Sequence, residues 1–399
     1  MCATAVKLVV DANADGVLEA TTVTLTNVDF ANAGKLTISG ATTFDTAYNG
    51  KAEGNTGKLI VAGTSTFNED FQGGKVYVGA TPSADVLKAN DQVFTDAVTV
   101  KQDVVFAADE LKLVDKTLTN EGKLVVTKAS VTSATQQSLG GKNTFGDLTV
   151  GSDAAAGDLT ITGLLTADSV TVAGKDGSNK GAFAFSSTNE DESAIQKLTV
   201  QANGSATVTA GDLTVSALDI QKGGAVSVTG GELSLDTLTI AQDSSNNPTG
   251  TFTLTSGDLS TSAANIYTLK KTADGTLDLV ASGANKGAVQ ATLNKGLTLN
   301  GGNVWVSDET EWSAADYANL KTTMGSATLF FANGTFVSKD ENGKTTGLGT
   351  LANLLTTGST GTTGTLGEAY AAKSEIAAEH GTTTPHWDPK SRLMRPRFN

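Results

Sequence analysis

The ten residues GDLTVSALDI at 211–220 return as GELSLDTLTI at 231–240, 20 positions further on and with only conservative changes. Near the N-terminus GKLTISGATTF at 34–44 comes back as GKLIVAGTSTF at 57–67, an interval of 23. The phrase persists in weaker form as GKLVV from Gly122, GDLTV from Gly146, GDLTI from Gly157, KLTV from Lys197, GTLDL from Gly275 and GLTLN from Gly296. Self-similarity at a short, nearly fixed period is the signature of a repeat architecture, in which each unit stacks on its neighbours. Within each phrase the large apolar residues alternate, as in Leu36 and Ile38, Leu59 and Val61, Leu213 and Val215, and Leu233 and Leu235. That alternation is the period of a strand with one buried face.

Leu213 and Val215 are followed by Leu218 and Ile220, and then by Val226 and Val228 after the turn QKGG. One period therefore holds three short strands and three turns. A coil of this kind has a single apolar side and cannot stand alone, whereas coils stacked at about 4.8 Å let each strand pair with its copy above and below. The chain is accordingly read as all-β, a parallel β-helix (β-solenoid) spanning 1–306 with 20 to 23 residues per coil. Residues 23–306 accommodate about 13 such coils. Leu36, Leu59, Leu213 and Leu233 are expected in the core, with glycine at the phrase start suited to a corner of positive φ and threonine facing outward. Tandem β-sandwiches fit poorly, because their repeat is of the order of 100 residues. A disordered Thr/Gly/Ser-rich stalk would not sustain the alternation.

The C-terminal quarter differs. Over 307–355 the sequence predicts a small cap: Ser313 and Asp316 have capping-box spacing, Trp312, Ala315 and Leu320 share a helical face, and Asn333-Gly334 between apolar runs marks a hairpin. A helix and hairpin there would cover the last edge of the solenoid. TTGSTGTTGT at 356–365 reads as a flexible linker, and 366–399 as a short helix followed by a basic, mobile tail.

The formal charge of -14 repels phosphate backbones, so nucleic acid is excluded as a partner. Nor does any run approach the roughly 18 apolar residues of a membrane helix, so no transmembrane segment is expected. The single cysteine, Cys2, excludes an internal disulfide and any multi-cysteine metal site. Both histidines, His380 and His386, lie outside the repeats, so a serine-histidine-aspartate arrangement on the solenoid has no histidine to use. No catalytic residue is assigned and no cofactor is expected. The sharpest local motif is DANADGVLEATT at 11–22, in which Asp11, Asn13, Asp15 and Gly16 match the opening of an EF-hand-like loop, with Glu19 at the ninth position. Thr22 stands at the twelfth, where a bidentate carboxylate belongs, and the flanks read as strands. Asp11, Asn13, Asp15 and Glu19 are thus a weak calcium-site candidate beside the plainer reading of an Asp/Asn-rich turn.

Taken together, the GKL and GDL phrases, the Thr and Gly richness and LTLNGGNVWV at 297–306 resemble the passenger region of bacterial autotransporters over roughly residues 5–350. The resemblance implies a right-handed β-helix, secreted or displayed at the bacterial cell surface, serving adhesion or aggregation through cell-surface or self-association partners. The family's export signal and outer-membrane barrel are not visible in this sequence, which leads to the expectation of an excised passenger, a truncated gene product or a relative exported by another route. The function expected is a non-catalytic adhesin or scaffold. The alternatives are a polysaccharide-active β-helix enzyme using paired carboxylates, and a structural solenoid like a phage tail spike.

Overall fold

Alternating inward residues at a fixed period demand parallel pairing of each phrase with its copy, and the chain provides it. A computed structural model describes residues 6–79, 87–133, 135–177, 179–189, 191–241, 244 and 249–254, with short strand segments between 258 and 370. Parallel strands stack into a β-solenoid of about 11 turns, with no helix among the described residues. Past residue 254 the strands Asp258–Thr261, Thr276–Val280 and Asn303–Ser307 continue the same parallel pairing. The chain divides into two compact units, residues 1–206 and 207–399.

The first unit begins with short strands. Asp15–Leu18, Lys35–Ile38 and Lys58–Val61 pair in parallel along one side, while Thr22–Thr26, Ala41–Asp45, Ser65–Phe67, Val98–Val100 and Leu118–Asn120 form a second parallel ladder. From Val105 onward two of the three strands of each coil fuse into single nine-residue strands, Val105–Leu113, Lys123–Val131, Lys142–Val150 and Leu164–Val172, again parallel. Each fused strand turns a corner. Phe106 and Ala108 point inward, Asp109 and Glu110 both lie outside the core, and Leu111 and Leu113 point inward again. The break in alternation is the bend.

In the second unit the same construction explains the rhyme at 211–240. Asp212–Ile220 pairs with Glu232–Ile240 in parallel, setting Leu213 against Leu233, Val215 against Leu235, Leu218 against Leu238 and Ile220 against Ile240. All eight are buried, as are Leu36 and Leu59, which face one another in the first unit. Burial of each such side chain contributes about 1.5–3 kcal/mol.

Aromatic rings reinforce the first unit. Tyr48 stacks on Phe71 with centroids 5.5 Å apart, Phe71 on Phe106 at 4.4 Å, and Phe44 on Phe67 at 4.5 Å. Rings from successive coils therefore sit one above another, where dispersion and offset stacking add to area burial.

Glycine at the phrase start serves two ends. Gly231 has φ 70, the left-handed corner expected. Gly57 has no such φ and is required for another reason: a Cβ there would run into the carbonyl oxygen of Gly34 in the coil before it. Close coil-to-coil approach, not backbone handedness, selects glycine at that corner.

The expected helix and hairpin over 307–355, the linker at 356–365 and the helix and tail at 366–399 lie outside the described residues, apart from short strand segments. Asn303–Ser307 and Thr328–Phe331 are two of these, paired in parallel.

Two substitutions and one control test this account by urea denaturation. Phe67→Ala removes the ring that meets Phe44, Phe71, Phe94 and Phe106, and should cost about 3–5 kcal/mol. Gly231→Ala should cost at least about 1–3 kcal/mol, since its φ of 70 strains any other residue and a Cβ there would also run into the Gly211 carbonyl oxygen, while the outward Thr239→Ser should stay within about 0.5 kcal/mol of wild type.

Candidate functional site

Stack order departs from chain order around residues 71–94. The strand Asp91–Phe94 lies between Lys58–Val61 and the second half of Phe71–Val78: Gln92 has Leu59 on one side and Val76 on the other. The first half of Phe71–Val78 meanwhile sits on Tyr48–Asn49, and the whole strand meets Val105–Leu113 above. A strand later in the chain is thus threaded beneath an earlier one. All four residues of Asp91–Phe94 are buried, so both of its faces are covered.

Outward of this insertion Tyr77 is nearly buried, with the amines of Lys75 and Lys112 lying 5.5 and 5.7 Å from its ring centroid. Glu110 bridges the two cations at 3.1 and 3.3 Å. Burial works to lower the Lys75 pKa, but hydrogen bonds to Glu110 and Tyr77 and the attraction of Glu110 together outweigh it and hold the amine above its usual range. Burial would likewise raise Glu110, yet Lys75 and Lys112 together hold its carboxyl below the usual value. The cluster is a half-exposed clamp whose charges are mutually satisfied, and such pairs contribute little stability in water.

On the inward side polar groups gather where an apolar core is expected. Asn32, Tyr48 and Gln92 are 1%, 1% and 0% exposed. Burial drives the Tyr48 hydroxyl up to about 12, and the neighbouring Asn32 and Gln92 amides moderate the shift. The amides lie near enough to act electrostatically on the hydroxyl, yet neither meets it with hydrogen-bond geometry.

The calcium candidates occupy a tight turn. The Asp11 backbone carbonyl accepts from the Ala14 N–H at 3.0 Å, Asn13 takes φ 65, and Asp15 opens the strand Asp15–Leu18 with its carboxylate 3.6 Å from the Lys35 amine. Glu19 follows that strand, and Asp11, Asn13, Asp15 and Glu19 are all exposed. Among the described residues no three His, Cys, Asp or Glu side chains group so as to hold a metal ion.

The most regular surface feature is a threonine ladder. Thr24, Thr43, Thr66, Thr99 and Thr119 are cross-strand partners in five successive strands of one sheet. Each stands beside an inward residue of the same strand, such as Phe44 or Phe67. Thr24 and Thr119 are exposed and the three between them half-buried. Ion and hydrogen-bond pairs border the ladder: Asn68 donates to Asp45 at 2.6 Å, and the Lys101 amine lies 3.2 Å from Glu121. The matching ATTF and TSTF at 41–44 and 64–67 signal this ladder in the sequence. Nothing in the sequence signals the meeting of Asn32, Tyr48 and Gln92, which depends on the threaded strand.

No protein-family model matches the chain, and no curated protein or solved structure matches it significantly.

The Tyr48 hydroxyl predicts an alkaline weakness. Its folded pKa of about 12 lies above the ordinary value of about 10, so its contribution is complete below about pH 10. Stability should fall by about 1.4 kcal/mol per pH unit as pH climbs from about 10 to about 12, and Tyr48→Phe should lose this slope. Urea denaturation across that range, wild type against Tyr48→Phe, measures it. A calcium ion bound at Asp11 and Asp15 would stabilise wild type by about 2.7 kcal/mol at a hundredfold excess over Kd, and would leave Asp11→Ala unchanged. Identical melting in calcium and in chelator removes the site.

Proposed function

We propose that the chain is a non-catalytic adhesive or scaffolding surface of the autotransporter passenger type, acting outside the cell or at the bacterial surface, with the threonine ladder as its contact face. The observation that carries this reading is the in-register column Thr24, Thr43, Thr66, Thr99 and Thr119. Each threonine offers a hydroxyl that both donates and accepts, beside a methyl group. One such contact is weak. Five held at a fixed interval of about 4.8 Å on a stiff sheet bind as one multivalent surface, because ordering the first orders the rest.

The chemistry of the face fits a neutral, hydrogen-bonding partner: another cell's surface or a second copy of this chain. Its bordering charges are already paired, and the chain's charge of -14 opposes polyanions.

The test is to couple the chain to beads and measure aggregation and adhesion to cell surfaces, comparing wild type with the triple variant Thr24→Lys, Thr66→Lys and Thr119→Lys. Alternate rungs are chosen so that the new charges are not adjacent. Aggregation or adhesion should fall about tenfold or more with melting unchanged, as loss of several contacts in a multivalent array requires. Undiminished binding would discard the ladder as the contact face. Release of reducing sugar from glycans, lost on replacing a single acidic residue, would discard the non-catalytic reading itself.

A further inference from the structure

We infer that Asn32, Tyr48 and Gln92 form a buried site for one water molecule inside the first unit, next to the threaded strand Asp91–Phe94. The side chains come from three strands, Val28–Asn32, Tyr48–Asn49 and Asp91–Phe94. The two amides have fixed orientations, because each is anchored at its other end. Asn32 donates through Nδ2 to the Lys58 carbonyl at 2.9 Å, leaving Oδ1 as a free acceptor. Gln92 accepts through Oε1 from the Gly74 N–H at 3.0 Å, leaving Nε2 as a free donor. Asn55 holds Asn32 in place from the other side, accepting its backbone N–H at 2.8 Å and donating to the Asn49 carbonyl at 3.1 Å.

What remains is one acceptor, Asn32 Oδ1, one donor, Gln92 Nε2, and the Tyr48 hydroxyl, which can do either. All three are buried and none meets a protein partner with hydrogen-bond geometry, although both amides lie close to the hydroxyl. Leaving such groups unpaired is costly, about 1–3 kcal/mol each, and native interiors rarely do so. Glycines make room for the amides: a Cβ at Gly50 would lie 2.8 Å from Gln92 Nε2 and 3.0 Å from Tyr48 Cε1, one at Gly57 2.8 Å from Asn32 Oδ1, and one at Gly73 2.6 Å from Gln92 Oε1.

The mixture of polarities selects the ligand. A cation would be repelled by the Gln92 N–H, and an anion by the Asn32 carbonyl oxygen. Water satisfies all three at once, accepting from Gln92, donating to Asn32 and taking its third bond with the Tyr48 hydroxyl, the usual complement of a buried water. Such a water ties the strand that is out of chain order to two of its predecessors.

Two measurements on the intact chain test the site. A high-resolution crystal structure of wild type should show one ordered water within hydrogen-bond distance of Asn32 Oδ1, Tyr48 Oη and Gln92 Nε2. Oxygen-17 relaxation dispersion, which counts long-lived internal waters, should lose the amplitude of one water in Tyr48→Phe and again in the size-matched Gln92→Met. Direct hydrogen bonds from the Tyr48 hydroxyl to both amides with no water between them would overturn the inference. So would equal dispersion amplitudes in wild type and a folded variant. If neither variant folds, the wild-type crystal structure decides alone.

Discussion

Register between neighbouring parallel strands is the constraint on which everything else in this chain rests. Because a strand's side chains alternate, a slip of one residue between Asp212–Ile220 and Glu232–Ile240 would turn Leu238 and Ile240 outward and carry Thr239 into the core. The backbone ladder has no sequence preference of its own, so the inward apolar columns fix its phase. Once that phase is set, outward columns are fixed as a by-product. The threonine ladder is therefore the outer imprint of the same register that stacks Phe44 on Phe67.

Much of this could be read from the letters alone. Intervals of 20 and 23 between phrases are the intervals at which the strands pair, and Leu36, Leu59, Leu213 and Leu233 occupy the core positions that alternation assigned to them. Corners were less legible. Alternation breaks between Ala108 and Leu111, and in the sequence that break looks like a gap between two strands, because a bend and a loop leave the same local trace. The glycine of GKL at Gly57 was expected to supply a left-handed turn but is needed for the approach of one coil to the next, a steric demand only the stack reveals.

The polar interior was not legible at all. Asn32, Tyr48 and Gln92 stand 16 and 44 residues apart in the chain, and no local pattern announces that they meet. Each even looks misplaced by the period-two rule, since Asn32 and Gln92 occupy inward positions where the repeat offers leucine or valine elsewhere. Their common location became meaningful only when the strand order was known. The calcium-like motif is the reverse case. It is vivid in sequence, and its residues stand on an exposed turn with Asp15 beside Lys35.

The threading of Asp91–Phe94 beneath Phe71–Val78 bears on how the first unit can assemble. A solenoid whose coils follow chain order can close like a zipper, each new strand finding its template already in place. At Lys75–Val78 the template has not yet been laid: the neighbour below is Asp91–Phe94 and the one above is Val105–Leu113, and both come later in the chain. Ordering cannot pass this point one strand at a time. The segments from Phe71 to Leu113 must fall into place together, with the entropy of closing the intervening connection met in a single step. The solenoid therefore contains a kinetic joint, set by topology, in a fold otherwise built from nearest-neighbour steps.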